Sequence, residues 1–412
     1  MKKDKILKAI TDKYLSSEEF NGYLLDELVN EKQHIIDLVK EGKIDINFGD
    51  RHPNPYIKAL EPDAKDKQIE KIERIGLNAC AYPTREHLKT VVDVRKYEGK
   101  PFTLKLALGE PQLNYASFDL SILEIYRNDP RYHYFTDDRG GWISIDDEYY
   151  ESSEVKTSDK IVIQTFGFSY KKWEMDRAVA VFYRYLAYLT PEHQQIWNSK
   201  ILAGDYFLHP EYARTTGGDW PETESIFTAF IAELRIINEF SKLMGRSMFF
   251  NQTFEENKPR EFSFLIRPTL KEFNVFVHLL DKMISENINR NFFGNEIPYE
   301  TERVRHDGKV IVEPKGTITL LKEWLNLKVR FKDPKPADEM ITTFRKIRTM
   351  RMKPAHHVDD CVFKQEYFKE QRKLIIEAYT AVRALRLIFA NHPRTKNYKV
   401  PEWLNEGKIC TY

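Results

Sequence analysis

Apolar residues recur along this chain in two rhythms, one helical and one alternating. Leu24, Leu25, Leu28, Ile35 and Leu38 stand near helical spacing, and Ser16 with Glu19 has the form of a capping box. Residues 1–40 therefore read as helical. The stretch GKIDINFGDRHPNP (42–55) is a turn-rich link, and a helix over 84–97 would open at Thr84. Alternation with β-forming residues predicts strands at about 142–146 and 160–170. From residue 174 onward the spacing is helical almost throughout. Val179, Phe182, Leu186 and Leu189 make one stripe, and Thr190-Pro191 restarts a helix. After a polar break at 209–222, a helix over 223–244 carries Phe227, Phe230, Ile231, Leu234 and Ile237. Thr269 and Glu272 box the start of another, with Phe273, Phe276, Val277, Leu280 and Ile284 on its face. A β-hairpin or loop is expected over 298–316, then helices near 317–330, 337–352 and 363–391.

This pattern predicts an α+β fold, mostly α. An N-terminal α+β region over 1–210 precedes a C-terminal helical bundle over 211–412, because several amphipathic helices with short links must bury their stripes on one another. The 412 residues, 42% hydrophobic and 31% charged, suit two or three globular domains. No apolar run is long enough for a signal peptide core or a bilayer span. Cys80, Cys361 and Cys410 are too far apart for zinc spacing and fit no disulfide framework, which points to a reducing, cytoplasmic setting. The net charge of +1 hides an asymmetry. Residues 331–412 hold 17 Lys and Arg against 10 Asp and Glu, a basic end on a slightly acidic body. Such an end suits an anionic partner or is a plain basic surface.

Candidate chemistry concentrates in TTFRKIRTMRMKPAHHVDD, residues 342–360. Arg345, Arg348 and Arg351 step by three along a helix expected to end near Met352, drifting about 60° per step into a slanting ridge. Pro354 stops the helix, and His356 and His357 follow. A guanidinium that stays charged beside an imidazole that titrates near neutrality suits RNA cleavage. The histidine can move a proton between the 2′-hydroxyl and the leaving 5′-oxygen, and the arginine can hold the charge growing on phosphorus. The same stretch also reads as a solvated helix end, with Arg345 and Arg348 paired to acids such as Asp338 and Glu339 and Asp359 or Asp360 capping the last helix. HHVDD could alternatively supply metal ligands, although four such close residues would need a distant fifth.

Arg351-Met-Lys-Pro-Ala-His356 is an R-x4-H motif, and with the long amphipathic helix behind it the stretch resembles the HEPN superfamily. The resemblance covers roughly the last 100–190 residues. It implies a helical-bundle, metal-independent ribonuclease of bacterial defence or toxin systems, with no cofactor and no metal. Arg351 and His356 would be catalytic, with Arg348, His357 and Arg345 in support. RNA is the implied substrate, a homodimer the implied assembly, and a regulatory protein a further partner. Many members carry a polar residue after the arginine, where this chain has Met352. Two other R-x(4–6)-H pairs, Arg127/His133 and Arg386/His392, lie outside the expected bundle and at a helix end. The rival function is a non-catalytic scaffold that binds nucleic acid or a protein. A further reading places unrecognised chemistry in residues 1–210, where IYRNDPRYHYF (125–135) could stack a base or edge a core. No P-loop, G-x-G-x-x-G or H-E-x-x-H pattern occurs.

Overall fold

The computed structural model describes all residues except Met1, Arg51, Pro53, 172–176, Pro221, Arg305, Asp307, Gly308, 353–361 and Tyr412. It divides into two compact units, residues 1–221 and 222–412. The division falls later than the sequence pattern suggests because 210–215 is helical and belongs to the first unit. Tyr212 there stacks on Phe182 with centroids 5.4 Å apart.

The first unit carries helices α1 (Lys2–Ser16), α2 (Lys32–Lys40), α3 (Lys65–Ile75), α4 (Arg85–Val91), α5 (Pro101–Ala107), α6 (Ile122–Arg127), α7 (Asp147–Glu151), α8 (Tyr183–Ala187), α9 (Pro191–Asn198) and α10 (Pro210–Thr215). A small antiparallel sheet sets β3 (Cys80–Pro83) between β1 (Tyr23–Leu24) and β2 (Ile44–Asn47). A six-stranded antiparallel sheet runs β4 (Tyr115–Phe118), β8 (Arg177–Phe182), β7 (Val162–Lys171), β6 (Gly140–Ile145), β5 (Tyr132–Thr136), with β9 (Tyr206–Leu208) pairing β7.

Three local expectations fail here for identifiable reasons. Residues 1–40 are not one helix. Ser16 ends α1 instead of capping a new one, and the chain turns at Phe20, whose φ is +54°. The helix opening at Thr84 does form, with Thr84 Oγ1 accepting from His87 N at 3.3 Å, but it stops at Val91 and gives way to a 3₁₀ turn. Val179 and Phe182 belong to a strand, not a helical stripe. Ala178 through Phe182 are all buried in β8, between β4 and β7, and a strand covered on both faces loses its alternation. The strands expected at 142–146 and 160–170 are β6 and β7. In the 125–135 segment, Tyr126 is buried and hydrogen-bonded to His193 Nδ1 and Trp197 Nε1, both at 2.8 Å, so this ring belongs to the core.

A glycine fixes the packing of α10 on this sheet. A Cβ at Gly167 of β7 would stand 2.0 Å from the Tyr212 ring. Gly167→Ala is expected to displace that ring and to lower the urea midpoint by the equivalent of about 1–3 kcal/mol. An unchanged midpoint would show that Tyr212 moves freely.

The second unit is a helical bundle of α11 (Ile226–Leu243), α12 (Leu270–Ile284), α13 (Thr317–Lys328), α14 (Lys335–Met352) and α15 (Glu366–Ala390), with the short α16 (Glu402–Asn405). The expected cap at Thr269 appears, accepting from Glu272 N at 3.2 Å, and Ser225 caps α11 by accepting from Phe227 N. The apolar stripes converge on one core, whose aromatic centre joins Phe249, Phe292, Trp324 and Phe389. The long loop after α11 is tied down by side-chain amides. Asn238 exchanges two hydrogen bonds with Phe250, and Gln371 bonds both Leu265 N and Ser263 O. Strands β10 (Glu224–Ser225) and β13 (Ile409–Cys410) pair in parallel, and β11 (Glu300–Val304) and β12 (Val310–Pro314) form the expected hairpin. Among the described residues no helix is long and apolar enough to cross a membrane.

Candidate functional site

The arginine ridge forms as the spacing requires. Arg345, Arg348 and Arg351 lie on α14, which buries Met340, Ile341, Phe344 and Ile347 in the bundle, and the slant of the ridge carries it from the exposed side at Arg345 onto the face that meets α12 at Arg351. Their surroundings differ from one to the next. Arg345 is exposed and has no ion pair among the described residues. The suggested acids do not serve the ridge: Glu339 lies 3.9 Å from Lys335, four residues before it on the same helix. Arg348 instead approaches Asp281 of α12, at 3.5 Å, with its side chain 47% exposed.

Arg351 is the most constrained of the three. Its Nη1 donates to Asp281 Oδ2 at 2.8 Å and also to Glu286 Oε1. These two acids stand at the C-terminal end of α12, so they clamp the last turn of α14 to the last turn of α12. The pairing holds the guanidinium above its ordinary range, chiefly through the Asp281 bond, and holds the Glu286 carboxyl below the usual carboxylate range. Nη1 is the nitrogen engaged among the described residues, which leaves Nε and Nη2 of the fork for another acceptor. The side chain remains 26% exposed.

Asp281 is fully buried, and its Oδ1 has no hydrogen bond among the described residues. The Ser285 hydroxyl, four residues further along the same chain segment, is also buried without a partner there. Buried carboxylates and hydroxyls are ordinarily satisfied, so this end of α12 holds unspent acceptor capacity beside Arg351. His278, one turn before Asp281 on α12, is half-buried. Desolvation and then the charges of Arg351 and Lys282 press its imidazole below the usual value. It is therefore neutral near pH 7 and able to accept a proton.

His356 and His357 lie outside the described residues, as do Pro354, Asp359 and Asp360. The described flanks of that segment sit at opposite ends of α12. Arg351 contacts its last turn, while the Val362 carbonyl accepts from Leu270 N at 3.2 Å in its first. Gln365 occupies the N-cap position of α15, which begins at Glu366, and the suggested capping residues Asp359 and Asp360 are among those outside the described residues.

The two other R-x(4–6)-H pairs have structural roles. His133 contacts Asp146 at 2.7 Å on the large sheet. Arg386 is buried against Glu233, and His392 caps a 3₁₀ turn by accepting from Arg394 N.

Spacing arguments about the arginines missed His278, Asp281 and Glu286. Asp281 carried a readable signal: it stands within the apolar stripe of α12, four residues after Val277, where a carboxylate requires a buried cation. No family model, no curated protein and no solved structure matches this chain.

Proposed function

We propose that this chain is a metal-independent RNA endonuclease whose second unit is a HEPN-like bundle acting at Arg351 and His356. The observation that carries the reading is the state of Arg351. Two carboxylates hold it by a single nitrogen, and the rest of its fork is left to meet a phosphate. In the reaction, His356 takes the proton from the RNA 2′-hydroxyl and the 2′-oxygen attacks phosphorus. The 5′-oxygen leaves with a proton returned by an acid. The products are a 2′,3′-cyclic phosphate and a 5′-hydroxyl. Arg351 meets the charge on the phosphorane, and Arg348 and Arg345 guide the neighbouring backbone along the exposed side of α14. Residues 1–221 would act as sensor or substrate selector, in a cytoplasmic defence or toxin system, with the cleft shared between two copies and opened by a regulatory partner.

A second reading has one observation in its favour. Asp281 and Glu286 already neutralise Arg351 and Arg348, as in a bundle that uses the ridge for cohesion and binds nucleic acid or protein without cutting it.

Incubation of the full chain with total RNA in EDTA separates the two. Wild type is expected to yield cyclic-phosphate ends, and folded His356→Ala is expected to lose them. His278→Ala reports whether the neutral imidazole on α12 shares the proton transfer. Cleavage by His356→Ala equal to wild type would remove this histidine from the mechanism. Intact RNA with salt-dependent retention of wild type would favour the scaffold.

A further inference from the structure

The β11–β12 hairpin presents an apolar face and an open edge together. Val304 opposes Val310, and Glu302 opposes Val312, so the three valines share one face. They are 67%, 56% and 51% exposed. A two-stranded ribbon standing alone in water is marginal, and nothing among the described residues pairs with the outer edge of β12.

The polarity of that edge follows from one bond. Lys315 N donates to Tyr299 O at 2.8 Å, which marks 299/315 as a hydrogen-bonded pair. Antiparallel alternation then makes 301/313 and 303/311 bonded pairs within the ribbon. The N–H and C=O groups of Val310 and Val312 therefore point outward. Pro314, the next outward position, has no N–H and ends the usable edge.

We propose that β12 pairs antiparallel with β12 of a second copy of this chain, about a two-fold axis at Ile311. The sequence across that axis is Lys309-Val-Ile-Val-Glu313, apolar at its centre and oppositely charged at its ends. In this register Val310 faces Val312 of the other copy and exchanges both outward hydrogen bonds with it. Lys309 of each copy faces Glu313 of the other. Sliding one copy by two residues moves the axis to Val310 or Val312 and sets Lys309 or Glu313 against Ile311, and a four-residue slide sets like charges together, so the Ile311 axis is the register that pairs opposite charges. The result is a four-stranded sheet in which the valines of the two ribbons pack side by side. A strand self-complementary in both charge and hydrogen-bond direction favours a second copy over an unrelated peptide. This pairing uses no residue of the arginine site, so it stands or falls apart from the RNA reading.

Thiol crosslinking of the full chain tests it. In a Cys361→Ser background, where Cys80 and Cys410 are buried, Ile311→Cys places one thiol on each side of the axis at a non-hydrogen-bonded pair. There Cα atoms stand ~4.5 Å apart, within disulfide reach, so dimer formation is expected to run roughly tenfold faster than for Thr301→Cys on the far strand. Lys309→Glu alone and Glu313→Lys alone are each expected to abolish that advantage, and the double reversal to restore it. Equal rates for the two cysteine variants, or crosslinking that survives both single reversals, would overturn the proposal.

Discussion

Replacing Arg386 by methionine is expected to lower stability by about 3–5 kcal/mol near pH 8, because it leaves a buried carboxylate without its cation. Arg386 Nε donates to Glu233 Oε2 at 2.5 Å, between α15 and α11, and the two side chains are 3% and 0% exposed. Glu233 Oε1 has no hydrogen bond among the described residues, so Arg386 is the chief compensation for its charge. Burial pushes the Glu233 carboxyl up, and Arg386 followed by Arg383 pulls it back. The pH dependence follows from that direction. With a folded pKa above the unfolded value of about 4.3, the folded state keeps a proton that the unfolded state has released. The pair's contribution therefore falls as pH rises through that window. Without Arg386 the carboxyl moves further up and the window widens. The loss in Arg386→Met should accordingly be smaller at pH 5 than at pH 8, read as urea midpoints at both. Glu233→Gln with Arg386→Met should recover most of the stability, since an uncharged pair of similar volume removes the isolated charge. Equal losses at both pH values would sink the account based on the Glu233 charge.

The same pair shows where sequence reasoning reached and where it stopped. The stripes of α11, α12 and α15, the hairpin, and the cap at Thr269 follow from spacing and local hydrogen bonding. Each depends on residues a few positions apart, and the structure has them. The strand β8 was not legible in this way. Its burial on both faces depends on β4 and β7, which are remote in sequence, and AVAVF fits a helix or a covered strand equally well. The candidate site was half legible. A ridge of three arginines can be drawn from a helix geometry alone, but the residue that fixes Arg351 is 70 positions earlier. The cue was the wrong residue type in an apolar stripe: Asp281 in α12, like Glu233 in α11 and Arg386 in α15, interrupts a face that must be buried. A charged residue at such a position implies a partner of opposite sign on a facing helix. Three of them here resolve into two pairs, one closing α11 on α15 and the other closing α12 on α14. The first pair is sealed from solvent, and the second is open on the arginine side.

That difference in access makes Arg351 the position where structural and chemical roles can be separated. Arg351→Lys keeps a cation within reach of Asp281 and Glu286 but gives up the planar fork, so a lysine bound to the two acids has no second nitrogen for a phosphate. The expected result is a urea midpoint close to wild type with RNA cleavage in EDTA reduced roughly 10²–10³-fold, the usual effect of removing one donor to a developing oxyanion. Arg351→Ala should lose cleavage to the same extent and also lose stability, because the fully buried Asp281 would keep, among the described residues, only Arg348, at 3.5 Å, as its counter-ion. Asp281→Asn separates the roles from the other side. It leaves Arg351 its bond to Glu286 but removes the charge that fixes the guanidinium, so cleavage should fall less than in Arg351→Lys. A purely cohesive arginine predicts a different set of results: stability would track charge at 351 and 281, and RNA would stay intact in every variant, wild type included. Wild-type cleavage retained in Arg351→Lys would remove the fork from the mechanism and leave this residue as the clamp between α12 and α14.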